Sequence, residues 1–75
     1  MMPLTFLQPD SMARVTAVQG GRGATARLAA MGIYPGVVVT LKRCGAGGPV
    51  IVQAGGSRFG IGRGMARRIM VKPVD

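Results

Sequence analysis

Glycine and proline recur at short intervals and limit every element of this chain to a few residues. The 75 residues include 13 glycines and 5 prolines, and several are adjacent, as in Gly20-Gly21, Pro35-Gly36 and Gly55-Gly56. Because both residue types interrupt helices and strands, they divide the chain into short pieces. No apolar run approaches the roughly 18 residues that cross a membrane as a helix. The sequence therefore predicts a small fold of short elements without a membrane span.

Alternation of apolar and polar residues predicts that most of these pieces are strands. In the first of them, Ala13, Val15 and Ala17 share one face while Arg14 and Thr16 share the other, which is typical of a half-buried strand. The predicted strands are Ser11–Val18, Val37–Arg43, Val50–Ala54, Ser57–Gly62 and Ile69–Val74. About five short strands separated by turn signals favour a small, mainly β barrel, which the glycines allow to bend and close. Residues 64–68 are expected to form a single helical turn before the last strand.

One short α-helix is predicted between the first two strands. The segment Ala24–Met31 is rich in strong helix formers. Ala24, Leu28 and Met31 fall on one face of such a helix, so this face is expected to pack on the sheet. The preceding Gly20–Gly23 segment is expected to be a flexible break.

Two glycines are predicted to shape the chain after the helix. Gly32 is placed to end the helix in a left-handed conformation, with Ile33 contacting Leu28 as in a Schellman motif. Pro35-Gly36 then suggests a type II turn, because proline sets φ at the second turn position and glycine accepts a positive φ at the third. Gly32 and Gly36 are therefore predicted to be structural turn residues.

The absent residue types exclude most catalytic and metal-binding functions. The chain has no His and no Glu, its only carboxylate side chains are Asp10 and Asp75, and Cys44 is its only cysteine. Nucleophilic triads need an imidazole and paired-acid chemistry needs two facing carboxylates, while a structural zinc site needs about four Cys or His ligands. The sequence predicts a binding module that is not an enzyme and holds no metal or cofactor.

The same composition bears on the compartment. Cys44 cannot form an internal disulfide, and a single free thiol fits a reducing cytoplasm. The start of the chain, residues 1–11, lacks the basic and long apolar regions of a secretory signal peptide. A cytoplasmic location is therefore expected.

A strong positive charge leaves the class of partner open. Ten Lys and Arg residues against two Asp give a net charge of +8, which attracts any polyanion. Specific readers of single-stranded nucleic acid add aromatic platforms, and here Phe6 and Phe59 are expected to pack inside, which leaves Tyr34. The charge favours an acidic protein or membrane surface over specific nucleic-acid recognition, and simple solvation of the arginines stays an alternative.

The helix and its turn resemble a known family. The segment from Arg27 to Gly36, RLAAMGIYPG, is similar to the R-L-x-x-M-G-[IL]-x-P-G signature of the FeoA family. Further matches follow the family order at Leu7-Gln8-Pro9, Gly20-Gly21, Gly47-Gly48-Pro49 and 61–66. The resemblance spans essentially the whole chain and implies one FeoA-like domain over residues 1–75 with the fold of an SH3-like barrel.

The resemblance also implies a function and a partner. FeoA proteins are small cytoplasmic partners of the bacterial ferrous iron transporter FeoB, so the chain is expected to be an adaptor in ferrous iron uptake, with no small-molecule substrate. The predicted docking residues surround the turn and are Arg22, Arg27, Ile33, Tyr34 and Pro35. Rigid aromatic residues flanked by arginine are common interface anchors; the alternative is that Tyr34 only covers the end of the barrel. A basic SH3-like nucleic-acid-binding module is the alternative function.

Overall fold

Six antiparallel strands form one sheet in the computed structural model, which describes residues 1–45 and 47–74. The strands are β1 (Met2–Pro3), β2 (Ser11–Val18), β3 (Val38–Arg43), β4 (Val50–Ala54), β5 (Ser57–Ile61) and β6 (Ile69–Pro73), and the helices are α1 (Gly21–Ala30) and α2 (Arg63–Ala66). The sheet order is β1-β6-β2-β3-β4-β5, so β1 and β5 are its edges. The five predicted strands are confirmed with end shifts of one residue. Ala46, in the predicted hairpin loop, and Asp75 lie outside the described residues.

The first strand was not expected from the sequence. Met2 pairs with Val71 and Pro3 with Met70, which places β1 beside β6. A 3₁₀ turn over Leu4–Phe6 follows, and the Leu4 side chain is fully buried. A strand of two residues has no hydrophobic period, so only its pairing with the far end of the chain reveals it.

The core contains only apolar side chains, and it fills from alternate positions of the strands. Its largest fully buried members are Leu4, Val15, Leu28, Ile33, Val39, Leu41, Val50, Val52, Ile69 and Val71. In β4 the burial alternates strictly, with Val50, Val52 and Ala54 inside and Ile51 and Gln53 half-buried on the outer face. The predicted inward faces of the strands are therefore confirmed except at Ala17, because a register shift between Val15 and Ala17 makes Val18 the residue that packs against the core.

Phe6 departs from its expected position, and Phe59 is less buried than expected. Phe6 was expected to pack inside the amino-terminal segment, but 74% of it is exposed. The buried residue of that segment is Leu4 instead, because the 3₁₀ turn directs Leu4 and not Phe6 toward the core. Phe59 lies opposite Val52 on the predicted inward face, where it is partly buried and packs against the core.

Helix α1 begins earlier than expected, and the flexible break predicted over Gly20–Gly23 is wrong. Gly20 precedes the helix and Gly21–Gly23 form its first turn. The Thr25 hydroxyl donates to the Gly21 carbonyl at 2.8 Å, and just before the helix the Gln19 N–H donates to the Arg68 carbonyl at 2.8 Å. The first turn of the helix therefore forms in spite of the low helix propensity of its glycines. No helix of the described segments is long and apolar enough to span a membrane.

Candidate functional site

The end of α1 forms the Schellman motif that the sequence predicts. The Ile33 N–H donates to the Leu28 carbonyl at 2.8 Å, and the Gly32 N–H donates to the Ala29 carbonyl at 2.9 Å. Gly32 has φ +83°, a conformation that residues with a Cβ adopt only at a cost. Leu28 and Ile33 are both fully buried. Both the backbone hydrogen bonds and the packing of these two apolar side chains therefore hold the end of the helix.

The turn after the helix is tied to strand β2. The Val37 N–H donates to the Tyr34 carbonyl at 3.1 Å, which closes the turn around Pro35-Gly36, and Gly36 has the φ of +101° that this position requires. The Gly36 N–H donates to the Val15 carbonyl at 2.8 Å. Because the backbone is held on both sides of Tyr34, this residue has a fixed place on the surface.

Two of the predicted docking residues lie exposed on this turn, and one does not. Tyr34 is 50% exposed and Pro35 is exposed beside it. Ile33 is fully buried, so its side chain cannot contact a partner and the prediction is wrong for this residue. The reason is the Schellman motif itself, which turns the residue after the glycine back onto the helix.

The two predicted arginines of α1 lie at different ends of the helix. Arg27 belongs to its last turn, is exposed, and precedes Met31 by four residues, so the two residues are neighbours on one face of the helix. Arg22 belongs to the first turn. The two are five residues apart, which is about 7.5 Å along the axis and about 140° around it. Arg27 therefore lies at the end of the helix that leads into the Tyr34 turn, while Arg22 lies at the opposite end of the helix.

Arg14 is a residue of this site that the sequence analysis missed. Its Nη1 donates to the Gly36 carbonyl at 3.0 Å, which places the guanidinium against the turn. The sequence predicts that Arg14 lies on the outer face of its strand, which is β2 in the structure. That Arg14 reaches Gly36 follows only from the pairing of β2 with β3, where Arg14 lies opposite Val38. We refer to Tyr34, Pro35, Arg27 and Arg14 as the turn face.

Among the described residues, no ion pair involves a basic side chain of the turn face. On the other side of β2, Arg14 lies directly opposite Lys72 of β6, and like charges in such cross-strand positions repel each other. Within residues 1–45 and 47–74, the one ion pair joins Lys42 Nζ and Asp10 Oδ1 at 3.4 Å. The positive charge of the turn face is therefore available to an acidic partner.

The described residues show no arrangement that suits catalysis or metal binding. They contain no group of three or more His, Cys, Asp or Glu side chains that could hold a metal ion. The Cys44 thiol lies 3.9 Å from the Thr5 carbonyl and 3.8 Å from Arg63 Nη1. A half-buried thiol among a carbonyl and a guanidinium has no base or second thiol beside it.

Comparison with known proteins agrees with the resemblance seen in the sequence. The FeoA domain family model matches residues 2–73. A protein of Methanocaldococcus jannaschii, provisionally named Fe(2+) transport protein A, is 39% identical over 75 residues, which are 100% of this chain and 90% of that protein.

Solved structures show the same fold. The crystal structure of an iron uptake regulatory protein, FeoA, matches with a TM-score of 0.88 at 36% identity and covers 97% of this chain and 96% of that one. The FeoA of Stenotrophomonas maltophilia, complexed with zinc and described as a prokaryotic SH3 domain protein, matches with a TM-score of 0.83 at 30% identity and covers 96% and 91% of the two chains. The predicted SH3-like fold is confirmed.

Proposed function

Because this chain belongs to the FeoA family, we propose that it acts in ferrous iron uptake as a non-enzymatic accessory protein that docks on the cytoplasmic part of a FeoB-type transporter. The family is associated with ferrous iron transport. Ferrous iron is the cargo of the transporter in this proposal, and this chain contributes a binding surface. A cytoplasmic location follows from the side on which it docks.

The observation that carries the proposal is the exposed Tyr34 ring on a fixed backbone. Tyr34 is 50% exposed, yet it is held between the buried Ile33 and a turn that hydrogen-bonds to Val15. A residue whose backbone is already ordered loses less conformational entropy when a partner covers it than a residue of a mobile loop does. Tyrosine and arginine are also the residues most enriched among those that dominate binding energy. Tyr34 with Arg27 and Arg14 therefore supplies the anchor of a docking surface.

Charge favours an acidic surface as the partner. The chain carries ten basic and two acidic side chains, and one of the two, Asp10, is already paired with Lys42. The repulsion between Arg14 and Lys72 across β2 and β6 is relieved when carboxylates approach them. Such complementarity speeds association and selects against basic partners.

Binding to the isolated cytoplasmic part of the transporter tests this proposal. At about 0.15 M salt, where charges on separate surfaces are screened beyond about 8 Å, we expect saturable one-to-one binding. The double variant Tyr34→Ala, Arg27→Ala should lose at least about tenfold in affinity, because it removes both an aromatic and a charged anchor. Phe6→Ala is the matched control, since Phe6 is an exposed ring outside the turn face.

Two other outcomes would contradict parts of this proposal, namely the docking surface and the class of partner. If the double variant binds as tightly as the parent, the turn face is not the docking surface. A basic nucleic-acid-binding module would instead bind an RNA oligonucleotide more tightly than the transporter fragment at the same salt concentration. RNA binding that falls steeply with salt and lacks sequence preference is expected of any chain with this charge, so it does not support that alternative.

A further inference from the structure

Strand β5 is an open edge of the sheet. It pairs with β4 on one side and has no strand on the other. Ser57, Arg58 and Gly60 are exposed. Among the described residues, no loop or turn donates to or accepts from the backbone of Arg58 or Gly60. An edge strand of this kind is a template for one more strand.

The pairing of β5 with β4 shows which backbone groups are free. Ala54 and Ser57 flank a two-residue turn, so they form a hydrogen-bonded pair, and the pair types alternate from there along the strands. Arg58 opposite Gln53 and Gly60 opposite Ile51 are then pairs without mutual hydrogen bonds. Their N–H and C=O groups point away from β4 and toward the open side.

The outer face of the sheet beside this edge carries a small cavity. Arg43 lies opposite Ile51, and Ile51 lies opposite Gly60, so the three form one row across β3, β4 and β5. Gly60 has no side chain, and a Cβ built there would lie 3.6 Å from the Ile51 Cδ1 atom. The same Cβ would lie 3.8 Å from the Pro49 Cβ, and beyond these two side chains a cavity of about 180 Å³ is lined in part by Arg43, Pro49 and Ile51. A large side chain from a neighbouring strand can pass over Gly60 and rest on Ile51.

Charge selects the kind of strand that fits. Arg58 stands in the adjacent row of the outer face, beside Gln53, and it is exposed. Arg43 lies opposite Ile51 and lines the cavity beside it. A second copy of this chain would bring another +8 charge to the edge, whereas an acidic segment would neutralise it.

We propose that the β5 edge accepts an extended acidic segment of a partner protein as a seventh strand. Main-chain hydrogen bonds to Arg58 and Gly60 supply the pairing, and side chains supply the selection, as in other cases of strand addition. The segment carries a carboxylate opposite Arg58 and a large apolar residue opposite Gly60. These two residues are separated by one position, because alternate residues of a strand share a face. This surface is separate from the turn face and does not depend on transporter docking.

Synthetic peptides test the proposal on the intact chain. The probe is an octapeptide of alternating Thr and Val with Glu and Phe at the two selecting positions, and its scrambled form is the control. We expect one-to-one binding with a dissociation constant of about 1 mM or tighter. In hydrogen exchange, the amides of Arg58 and Gly60 should gain protection, whereas the amide of Phe59, which already faces β4, should not change.

Two sets of variants separate strand addition from general charge attraction. Arg58→Glu should weaken binding at least tenfold, whereas Arg67→Glu, an exposed arginine after α2 with the same change in net charge, should weaken it less than threefold. N-methylation of the peptide residues that face β5 should abolish binding, and N-methylation of the alternate residues should leave it intact.

Four results would overturn the proposal. They are equal losses in the two arginine variants, indifference to the methylation pattern, equal binding of the scrambled peptide, and absence of binding at millimolar concentration.

Discussion

In two segments of this chain, a fully buried leucine precedes an exposed aromatic residue by a few positions. The backbone that carries the aromatic residue is held differently in the two segments. In one, Leu28 is buried and Tyr34 is 50% exposed; in the other, Leu4 is buried and Phe6 is 74% exposed. The helix-stop segment, residues 28–37, is held mainly by hydrogen bonds between near neighbours, such as Ile33 to Leu28 and Val37 to Tyr34. The amino-terminal segment, residues 2–8, is held by the pairing of Met2 with Val71 at the far end of the chain.

The difference explains why only one of the two rings is proposed as an anchor. Tyr34 stands on a backbone that is fixed on both sides, Arg14 donates to the carbonyl of Gly36 in the same turn, and Arg27 lies in the last turn of the preceding helix. Phe6 stands at the end of a single 3₁₀ turn and lines a groove that also contains Asp10. A partner that carries acidic residues is attracted to the arginines of the turn face and not to the groove at Phe6. Exposure alone, which is greater for Phe6, therefore does not identify the docking surface.

The largest expected effect is on the free energy of unfolding, and it tests whether both segments are packed into the core. Leu28→Ala and Leu4→Ala should each lower the free energy of unfolding by about 2–5 kcal/mol, because both leucines are fully buried. In a chain of this size, with about 4–11 kcal/mol of stability in total, either loss is visible in urea denaturation. A loss below about 1 kcal/mol for Leu4→Ala would mean that the amino-terminal segment is not part of the core.

A smaller effect tests the helix stop. Gly32→Ala should cost about 1–2 kcal/mol, because Gly32 has φ +83° and open space around it, so only backbone strain opposes the new methyl group. Gly23→Ala is the matched control: it lies within α1, has open space, and has no positive φ. It should be neutral or stabilise by up to about 1 kcal/mol. If thermal melting shows no difference between the two variants, the Schellman motif does not hold the helix end.

The exposed rings should differ in function and not in stability. Tyr34→Ala and Phe6→Ala should each change the free energy of unfolding by less than about 0.5 kcal/mol, because both side chains are largely on the surface. Circular dichroism melts check this directly. A larger loss in Tyr34→Ala would show that its ring covers the end of the barrel, which is the alternative role for this residue.

The smallest expected effect is the response to metal ions. The soft ligand Cys44 lies near the amino-terminal segment, with its thiol 3.9 Å from the Thr5 carbonyl, and the chain has no histidine. One soft ligand cannot complete the shell of ferrous or zinc ions. Calorimetry on the monomer should therefore detect no tight site, and a one-to-one complex in the low micromolar range would contradict this.

Features set by neighbouring residues could be predicted from the sequence. Gly32 and Gly36 have the positive φ values expected of them, and β2 and β4 have the expected ends. In each case the signal lies within a few residues of the feature, as in the Leu28–Ile33 contact.

Features set by distant residues could not be predicted. Strand β1 exists only through its pairing with β6, and the contact of Arg14 with Gly36 spans 22 positions. The error at Ile33 was of another kind, since the predicted contact with Leu28 already implied that Ile33 is buried. A residue that completes a helix stop in this way has its side chain buried in the core, so this side chain is not exposed to a partner.

Ferrous iron uptake in cells tests the central claim most directly. Cells that depend on this chain for uptake should lose most of their ferrous iron accumulation when it carries Tyr34→Ala with Arg27→Ala, although the variant is folded. Cells with Phe6→Ala should accumulate iron at the parental rate, because that ring lies outside the turn face. Parental uptake by the folded double variant would contradict the account and place the docking surface elsewhere on the chain.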